Sequence, residues 1–387
     1  MNIYNILSLE NLYNKKYSYF STPAHHILGL NYISTICTPA SDWQKLHEDI
    51  ERKFLNIKKH SCVQNSNPIM IGCIPFDTNQ PCSLHFYEDH INSKSKFFSN
   101  VTDSKVPKLL KKQSLVDVGK FKNTVEKCKS KFQNTKLEKI VLSQAIDYWF
   151  EAPLQPECFI RNLLQKNSNA YNFILPLKDC SFIFGASPEL LISKQGNYIH
   201  SNPLAGSRSK NNVTCHSDAI KQQLLTSKKD QFEHSLVIDF ISEKLQPLCE
   251  NFKVNSQPEI LETSTMFHLS SHFYGTLNDA SINAMALALK LHPTPAICGA
   301  PTELSKKIIL SEEGYNREYY TGVVGWMDSE GNGEWVVTIR CGLVDDCKLR
   351  LYAGAGIVPD SNASAEWQET EDKMQTLLNL FNCDNRG

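Results

Sequence analysis

The 387-residue sequence has almost no net charge, little glycine or proline, and no long hydrophobic run. Its 40 lysines and arginines balance 41 aspartates and glutamates, so the basic excess typical of nucleic-acid-binding proteins is missing. Glycine and proline number 17 each, which excludes collagen-like and broadly disordered chains. The closest approach to a membrane span, residues 284–289, ends at Lys290, well short of about 18 apolar residues. We therefore expect a globular protein that binds neither nucleic acid nor membrane.

The cysteines and the first residues favour the cytoplasm. The 13 cysteines are odd in number and form no Cys-x-x-Cys pair, so we expect free thiols instead of a disulfide framework. Residues 1–10 lack a charged leader followed by a long apolar stretch, so we expect no secretion signal. No long exposed apolar seam is visible, which favours a monomer.

Hydrophobic periodicity predicts antiparallel strands with helices clustered between them, which favours an α+β fold over a doubly wound one. We expect helices at 47–54, 120–134, 156–166, 216–226, 228–245, 281–291 and 363–381. We expect strands at 69–74, 139–150, 171–177, 181–185, 190–192, 197–200, 260–277, 319–328, 334–344 and 348–357.

The polar stretch 92–119 divides the chain. It is rich in lysine and serine, so we expect a surface connection there, with a partial helix at 109–112 as an alternative. The predicted division gives an N-terminal part, 1–119, and a more strongly patterned region, 120–383.

Four carboxylates recur at three-residue spacing on two predicted helices, as Asp230 with Glu233 and as Glu366 with Glu369. Glu233 lies along the apolar stripe of its helix, where a carboxylate is costly unless it is paired or bound to a metal. A hard divalent cation such as Mg2+ would offset the repulsion within the cluster. The alternative for Glu366 and Glu369 is a solvated face with an ordinary Glu369–Lys373 pair.

Three more residues are candidates for a catalytic or binding role. Lys139 opens an apolar strand, where a lysine can act as a base, although a strand-end ammonium in water is the alternative. Glu189 lies among apolar residues, where a carboxyl can stay protonated and act as an acid. A helix start capped by Ser187 is the alternative for Glu189. Arg340 is predicted in the middle of an apolar strand and needs an anionic partner, with a structural salt bridge as the alternative.

Glycine-rich turns at Gly206–Ser207 and at Gly354 offer backbone N–H groups to a ligand. The sequence contains no P-loop, no Rossmann fingerprint, no Gly-x-Ser-x-Gly elbow and no zinc-ligand spacing. These features, taken one at a time, leave the function open.

Taken in order, eight segments resemble the chorismate-utilising enzymes. They are KIVLS (139–143), GASPELL (185–191), PLAGSR (203–208), KDQFEH (229–234), LHPTPAICG (291–299), YTGVVG (320–325), YAGAGIV (352–358) and AEWQET (365–370). The resemblance covers about 121–381 and is best with isochorismate synthases of the siderophore type. It implies the large two-subdomain α/β sandwich of anthranilate synthase component I, with the ligand between the sheets and region 120–383 binding chorismate.

The resemblance also implies catalytic roles. Lys139 would deprotonate a water that attacks C2 of chorismate, and Glu189 would protonate the departing C4 hydroxyl. Arg340 and Lys373 would hold a carboxylate of the substrate in a pocket lined by Gly206, Ser207, Ala296 and Gly354. The implied reaction is the reversible, Mg2+-dependent conversion of chorismate to isochorismate.

The resemblance implies metal ligands as well. Glu233 and Glu369 would hold Mg2+, which would bind the ring carboxylate, with Asp230 and Glu366 reached through water. Asp230 is one methylene shorter than the usual glutamate. Gln144 stands where the siderophore enzymes commonly have arginine.

Several functions remain as alternatives. A salicylate synthase makes isochorismate and then eliminates pyruvate in the same pocket, and an anthranilate synthase needs ammonia and usually a glutaminase partner. A catalytically inactive protein that senses chorismate-like acids is the alternative from another class. Ala205 stands where some aminodeoxychorismate synthases have a covalent lysine, which favours water as the nucleophile. The motifs do not distinguish supply of a siderophore pathway from supply of menaquinone synthesis.

Overall fold

The computed structural model describes residues 16–61, 67–94, 105–178, 181–210 and 217–381. Residues 1–10, residues 95–104 of the 92–119 connection, and residue 216 lie outside the described ranges.

Among the described residues, twenty strands form one large sheet and one small sheet. They are β1 (Tyr19–Ser21), β2 (His26–Ile36), β3 (Ile69–Ile74), β4 (Ser83–Ser93), β5 (Leu109–Ser114), β6 (Lys139–Phe150), β7 (Tyr171–Pro176), β8 (Ser181–Ser187), β9 (Leu190–Gln195), β10 (Tyr198–Asn202), β11 (Leu204–Ser209), β12 (Cys249–Val254), β13 (Glu259–Glu262), β14 (Met266–Ser270), β15 (Phe273–Leu277), β16 (Gly299–Ala300), β17 (Val323–Asp328), β18 (Gly333–Val337), β19 (Cys341–Asp345) and β20 (Lys348–Ile357).

The described strands pair in an antiparallel manner throughout. The large sheet runs β5-β6-β20-β19-β8-β7-β1-β2-β4-β3-β17-β18-β9-β10-β15-β12, and the short β16 pairs with the start of β6. The small sheet runs β11-β14-β13. N-terminal and C-terminal segments therefore share one sheet, because β3 pairs with β17 along its whole length.

Eight α-helices lie against these sheets among the described residues. They are α1 (Trp43–His60), α2 (Val118–Asn134), α3 (Ile160–Lys166), α4 (Ser217–Thr226), α5 (Lys228–Leu245), α6 (Ala284–Leu291), α7 (Thr302–Glu312) and α8 (Ala363–Leu378). Short polar side chains cap the N-termini of several of these helices. The Ser227 hydroxyl accepts from the Asp230 N–H at the start of α5, and Asn362 accepts from two N–H groups of α8.

Buried side chains show the layering of the molecule. Ile69 of β3 and Ile183 of β8 belong to one apolar cluster, so the two halves of the large sheet pack face to face. Met70, which points the other way from β3, packs in the cluster that contains the buried side of α1. Phe184 of β8 meets Phe159 near α3 with ring centroids 4.3 Å apart. Helices therefore cover the outer faces of a sandwich, as predicted.

Most predicted elements are confirmed, and four differ. Residues 109–112 form the exposed edge strand β5 and not a partial helix. The predicted strand 334–344 is wrong as one element, because it breaks at 338–340 into β18 and β19. The predicted helix 156–166 begins as a 3-10 turn at Pro156–Cys158, and 260–277 divides into β13, β14 and β15. Strands β1, β2, β4, β11, β12 and β16 and helix α7 were not predicted.

No helix in the described ranges is long and apolar enough to cross a membrane. Each of the nine cysteines in those ranges is a free thiol.

Candidate active site

A cavity opens where β6, β11, β20, α5 and α8 meet. The predicted site residues that line it are Lys139, Glu189, Gly206, Ser207, Asp230, Glu233, Ala296, Arg340, Gly354, Glu369 and Lys373. Glu366 lies in an adjoining depression. Three residues, Ser207, Lys229 and Glu369, line both this depression and the cavity. Residues up to 234 positions apart in the sequence are thus brought together, since Lys139 and Lys373 line one cavity.

Lys139 begins β6 and is only 2% exposed. Its ammonium nitrogen lies 3.6 Å from Oε2 of Glu233, which is also buried. Gly356 of β20 makes room for this contact, because a Cβ there would lie 2.7 Å from Glu233 Oε2 and 3.1 Å from Lys139 Cε. The alternative of a strand-end ammonium in water is therefore wrong.

Glu189 lies between β8 and β9 and is 2% exposed. Burial raises the pKa of its carboxyl to about 7, although a hydrogen bond from the Leu204 backbone and the nearby Lys139 and Arg340 charges oppose the rise. Oε1 has no hydrogen-bond partner among the described residues. No helix begins at Ser187, which ends β8, so the alternative of a capped helix start is wrong.

Arg340 is not in the middle of a strand, and that prediction is wrong. It lies in the break between β18 and β19. Its backbone φ of 50° is in the left-handed region, which residues other than glycine rarely adopt. Its carbonyl accepts from the Ala186 N–H at 3.0 Å, which ties the break to β8. Nη2 of its buried guanidinium has no hydrogen-bond partner within the described residues, and no carboxylate there forms an ion pair with it. The salt-bridge alternative is therefore wrong.

Each carboxylate of the predicted metal cluster faces a basic side chain. Oε1 of Glu369 accepts from Lys373 at 2.5 Å and from the Ser207 hydroxyl at 2.9 Å. Lys229 lies 2.5 Å from Glu366 Oε1 and 3.8 Å from Glu233 Oε1. The predicted Glu369–Lys373 pair exists, but it lines the cavity and does not lie on a solvated face.

Burial and crowding change the acidity of two of these groups. Burial raises the pKa of Glu233 above its ordinary value, and the nearby Glu369 and Asp230 charges add to the rise. Burial likewise raises the pKa of Glu366, and Glu369 adds to it. Carboxylates that crowd one another in this way are stabilised by an added cation.

The donor chemistry of this cluster fits Mg2+, since every candidate ligand is a carboxylate oxygen. In the described part of the chain, no group of three such side chains converges closely enough to hold a metal. Lysine ammonium groups lie against Glu233, Glu366 and Glu369 instead.

Asp230 differs from the other three carboxylates because an arginine holds it. Both terminal nitrogens of Arg208 donate to it, at 3.1 and 2.5 Å. Gly206 allows this approach with a φ of 83°, and a Cβ there would lie 3.0 Å from Asp230 Cβ. The shorter side chain at position 230 is thus compatible with a well-formed bidentate pair.

The remaining residues singled out from the sequence have defined places. Ala205 lines the cavity, so position 205 provides no lysine for a covalent adduct. Gln144 is fully buried and donates to the Thr370 hydroxyl at 2.5 Å, so it ties β6 to α8 without lining the cavity.

Several cavity residues were not predicted. His268 of β14 lines the cavity, and burial lowers its pKa well below the ordinary value, with Arg340 and Lys373 adding to the effect. Its imidazole is therefore neutral, and Nε2 has no partner among the described residues. Tyr320 and Thr321 also line the cavity. Only the alternation in the predicted strand 260–277 could have indicated the inward position of His268.

A buried ion pair behind the cavity was not predicted either. Both nitrogens on one edge of the Arg317 guanidinium donate to Glu313, four residues earlier. The other N–H groups donate to the Val141 carbonyl at 2.7 Å, and to the Ile297 carbonyl and the Thr321 hydroxyl at 3.1 Å each. All three acceptors belong to residues that line the cavity. Arg317 therefore fixes three parts of the cavity wall.

Comparison with known proteins identifies the family. Residues 82–382 match the chorismate binding enzymes. The chain belongs to this family. It is 35% identical over 375 residues to isochorismate synthase DhbC of Bacillus subtilis, covering 95% of this chain and 94% of the relative.

Solved structures agree with this membership. DhbC from Bacillus anthracis has a TM-score of 0.87 at 32% identity, covering 96% of this chain and 98% of that one. Anthranilate synthase component I from Streptococcus pneumoniae has a TM-score of 0.73 at 22% identity, covering 93% and 92%. The resemblance to chorismate-utilising enzymes and the expected fold are confirmed. The family match begins at residue 82, before the division predicted at 119, which stays a prediction.

Proposed function

We propose that this protein is an isochorismate synthase that converts chorismate reversibly to isochorismate. The observation that carries the proposal is that a buried lysine, Lys139, and a buried carboxyl, Glu189, line one cavity. Similarity to a curated isochorismate synthase over nearly the whole chain supports the same reaction.

The two residues divide the proton transfers between them. Lys139, in its neutral amine form, accepts a proton from a water molecule as the water oxygen bonds to C2 of the ring. Glu189, whose pKa of about 7 leaves a large protonated fraction near neutrality, donates a proton to the C4 oxygen as the C4–O bond breaks. Both ring double bonds shift, from C1=C2 and C5=C6 to C6=C1 and C4=C5, as one water adds at C2 and one leaves from C4, so the product is an isomer of the substrate.

The substrate carries two carboxylates, and the cavity has matching cations. Nη2 of Arg340, which has no hydrogen-bond partner among the described residues, can donate to one carboxylate oxygen without losing an existing hydrogen bond. Lys373 also lines the cavity, and its ammonium donates to the Gly354 carbonyl at 2.9 Å. Gly206, Ser207, Ala296 and Gly354 leave space for a flat ring beside these charges.

We propose Mg2+ as the cofactor, held by Glu233 and Glu369, with Asp230 and Glu366 acting through water. When bound, this ion would orient the ring carboxylate and offset its charge. The raised pKa values of Glu233 and Glu366 support a cation at this cluster. We further propose a monomeric, cytoplasmic enzyme, and the monomer can be tested by gel filtration of the purified protein.

Incubation of the purified protein with chorismate and Mg2+ tests the proposal. We expect isochorismate as the product by chromatography, in equilibrium with chorismate. Fluorescent salicylate with release of pyruvate would identify a salicylate synthase instead. Chorismate binding without turnover would identify the inactive binding protein.

A further inference from the structure

Lys229 joins the two helices that carry the carboxylate cluster. It lies in the first turn of α5, and its ammonium contacts Glu233 of the same helix and Glu366 of α8. Burial alone would lower the pKa of Lys229, but the Glu366 and Glu233 charges raise it above its ordinary value. The side chain is therefore a cation that neutralises this part of the cluster.

The other lysines at the cluster have different surroundings. Lys139 is enclosed at the start of β6, and Lys373 also donates to the Gly354 carbonyl. The side chain of Lys229 is 32% exposed, and among the described residues its ammonium pairs with the two carboxylates alone. It can therefore leave the cluster toward solvent without breaking contacts to the cavity wall.

We propose that Lys229 is a built-in counter-ion, which neutralises the carboxylate cluster in the metal-free protein and is displaced from Glu233 when Mg2+ binds. This inference rests on the Mg2+ site of the proposed function. An ammonium and a divalent cation repel at contact distance, so both cannot occupy the same side of Glu233. Lys229 thus stabilises the empty site and competes with the metal.

The inference predicts that removal of the positive charge at position 229 strengthens Mg2+ binding. Replacing Lys229 by methionine keeps the length of the side chain but removes the competitor. We expect Lys229→Met to bind Mg2+ at least about tenfold more tightly than the unaltered protein. We also expect its metal-free form to melt at a lower temperature, and Mg2+ to raise its melting temperature by more.

Calorimetric titration of Mg2+ into the protein tests this, with thermal melts at matched Mg2+ concentrations. Lys228→Met is the matched control, because it removes the same charge from an exposed neighbouring position. We expect its Mg2+ affinity and melting temperature to stay close to those of the unaltered protein. Equal or weaker Mg2+ binding by Lys229→Met would overturn the inference alone. Absence of Mg2+ binding by the unaltered protein would overturn the proposed metal site as well.

A second measurement needs no variant, so it decides the matter even if Lys229→Met does not fold. An amine-acylating reagent is applied to the unaltered protein with and without Mg2+, and labelled lysines are quantified by mass spectrometry. We expect Mg2+ to increase labelling of Lys229 several-fold and to leave labelling of Lys228 unchanged. Unchanged or decreased labelling of Lys229 in a protein that binds Mg2+ would contradict displacement.

Discussion

The ammonium of Lys139 lies 3.6 Å from Oε2 of Glu233, and the second oxygen of that carboxylate lies 3.8 Å from Lys229. The proposed base and a proposed metal ligand are therefore neighbours in a buried ion pair. Removing one partner of such a pair leaves the other as an uncompensated charge in a poorly solvated place. Substitutions at these positions must accordingly be checked for folding as well as for activity.

Loss of the proposed base should abolish conversion. Lys139→Ala removes the amine that accepts the proton of the attacking water, so we expect turnover to fall by about 10² to 10⁴. Turnover of chorismate is measured by chromatography, and circular dichroism checks the fold. Lys136→Ala, an exposed lysine just before β6, is the control and should keep full activity. Comparable turnover by both variants would rule out Lys139 as the base.

Loss of the proposed acid should have a similar effect. Glu189→Gln keeps the shape of the side chain but cannot donate a carboxyl proton, so we expect a fall of about 10² to 10⁴ in turnover. Glu138→Gln, which changes an exposed carboxylate, is the control. A Glu189→Gln enzyme with normal turnover would show that another group protonates the leaving hydroxyl.

The pH dependence follows from the same residue. Because the pKa of Glu189 is raised to about 7, its acid form predominates below that pH and is lost as the pH rises through it. Because Lys139 must be deprotonated to act as the base, the rate depends on both groups, so we expect the pH profile of kcat/KM to change shape in Glu189→Gln, which lacks the Glu189 titration. Initial rates at low chorismate concentration, measured from about pH 6 to about pH 9, test this. A Glu189→Gln profile of the same shape as that of the unaltered protein would contradict the role of Glu189.

Removal of divalent cations should stop the reaction reversibly. EDTA withdraws the ion that Glu233 and Glu369 are proposed to hold, so we expect turnover to be lost and then restored by excess Mg2+. The control is EDTA already saturated with Mg2+, which should have no effect. Unimpaired turnover in the chelator would contradict the metal proposal.

The ion pair behind the cavity should matter for stability. Arg317→Met leaves the Glu313 carboxylate buried without its partner, so we expect a loss of about 3 to 5 kcal/mol in the free energy of unfolding. Urea denaturation measures the change. Arg52→Met removes an exposed arginine from a surface pair with Asp49, so its cost should stay within about 1 kcal/mol. Equal costs for the two variants would contradict a structural role for Arg317.

Local pattern predicted most of the fold because periodicity reports which faces are buried. The strand Lys139–Phe150 and the helix Lys228–Leu245 have the predicted bounds. The break at 338–340 was missed because Val337, Ile339 and Cys341 continue an apolar run in the sequence. What ends the strand is the left-handed backbone at Arg340 and its tie to β8, which are tertiary features.

The site was predicted mainly through ordered motifs, because spacing alone left each residue with a plausible alternative. Burial of Lys139 and Glu189 depends on strands distant in sequence, so no local pattern could decide it. His268 and Arg317 were missed for the same reason. Their importance comes from what surrounds them in space, and neither lies in a pattern with a specific chemical meaning.

Product analysis of chorismate incubated with the purified, Mg2+-loaded protein tests the central claim most directly. The expected result is isochorismate as the sole new product, formed by the unaltered protein and not by Lys139→Ala or Glu189→Gln. Formation of salicylate, or chorismate that remains unconverted by a folded protein, would contradict it.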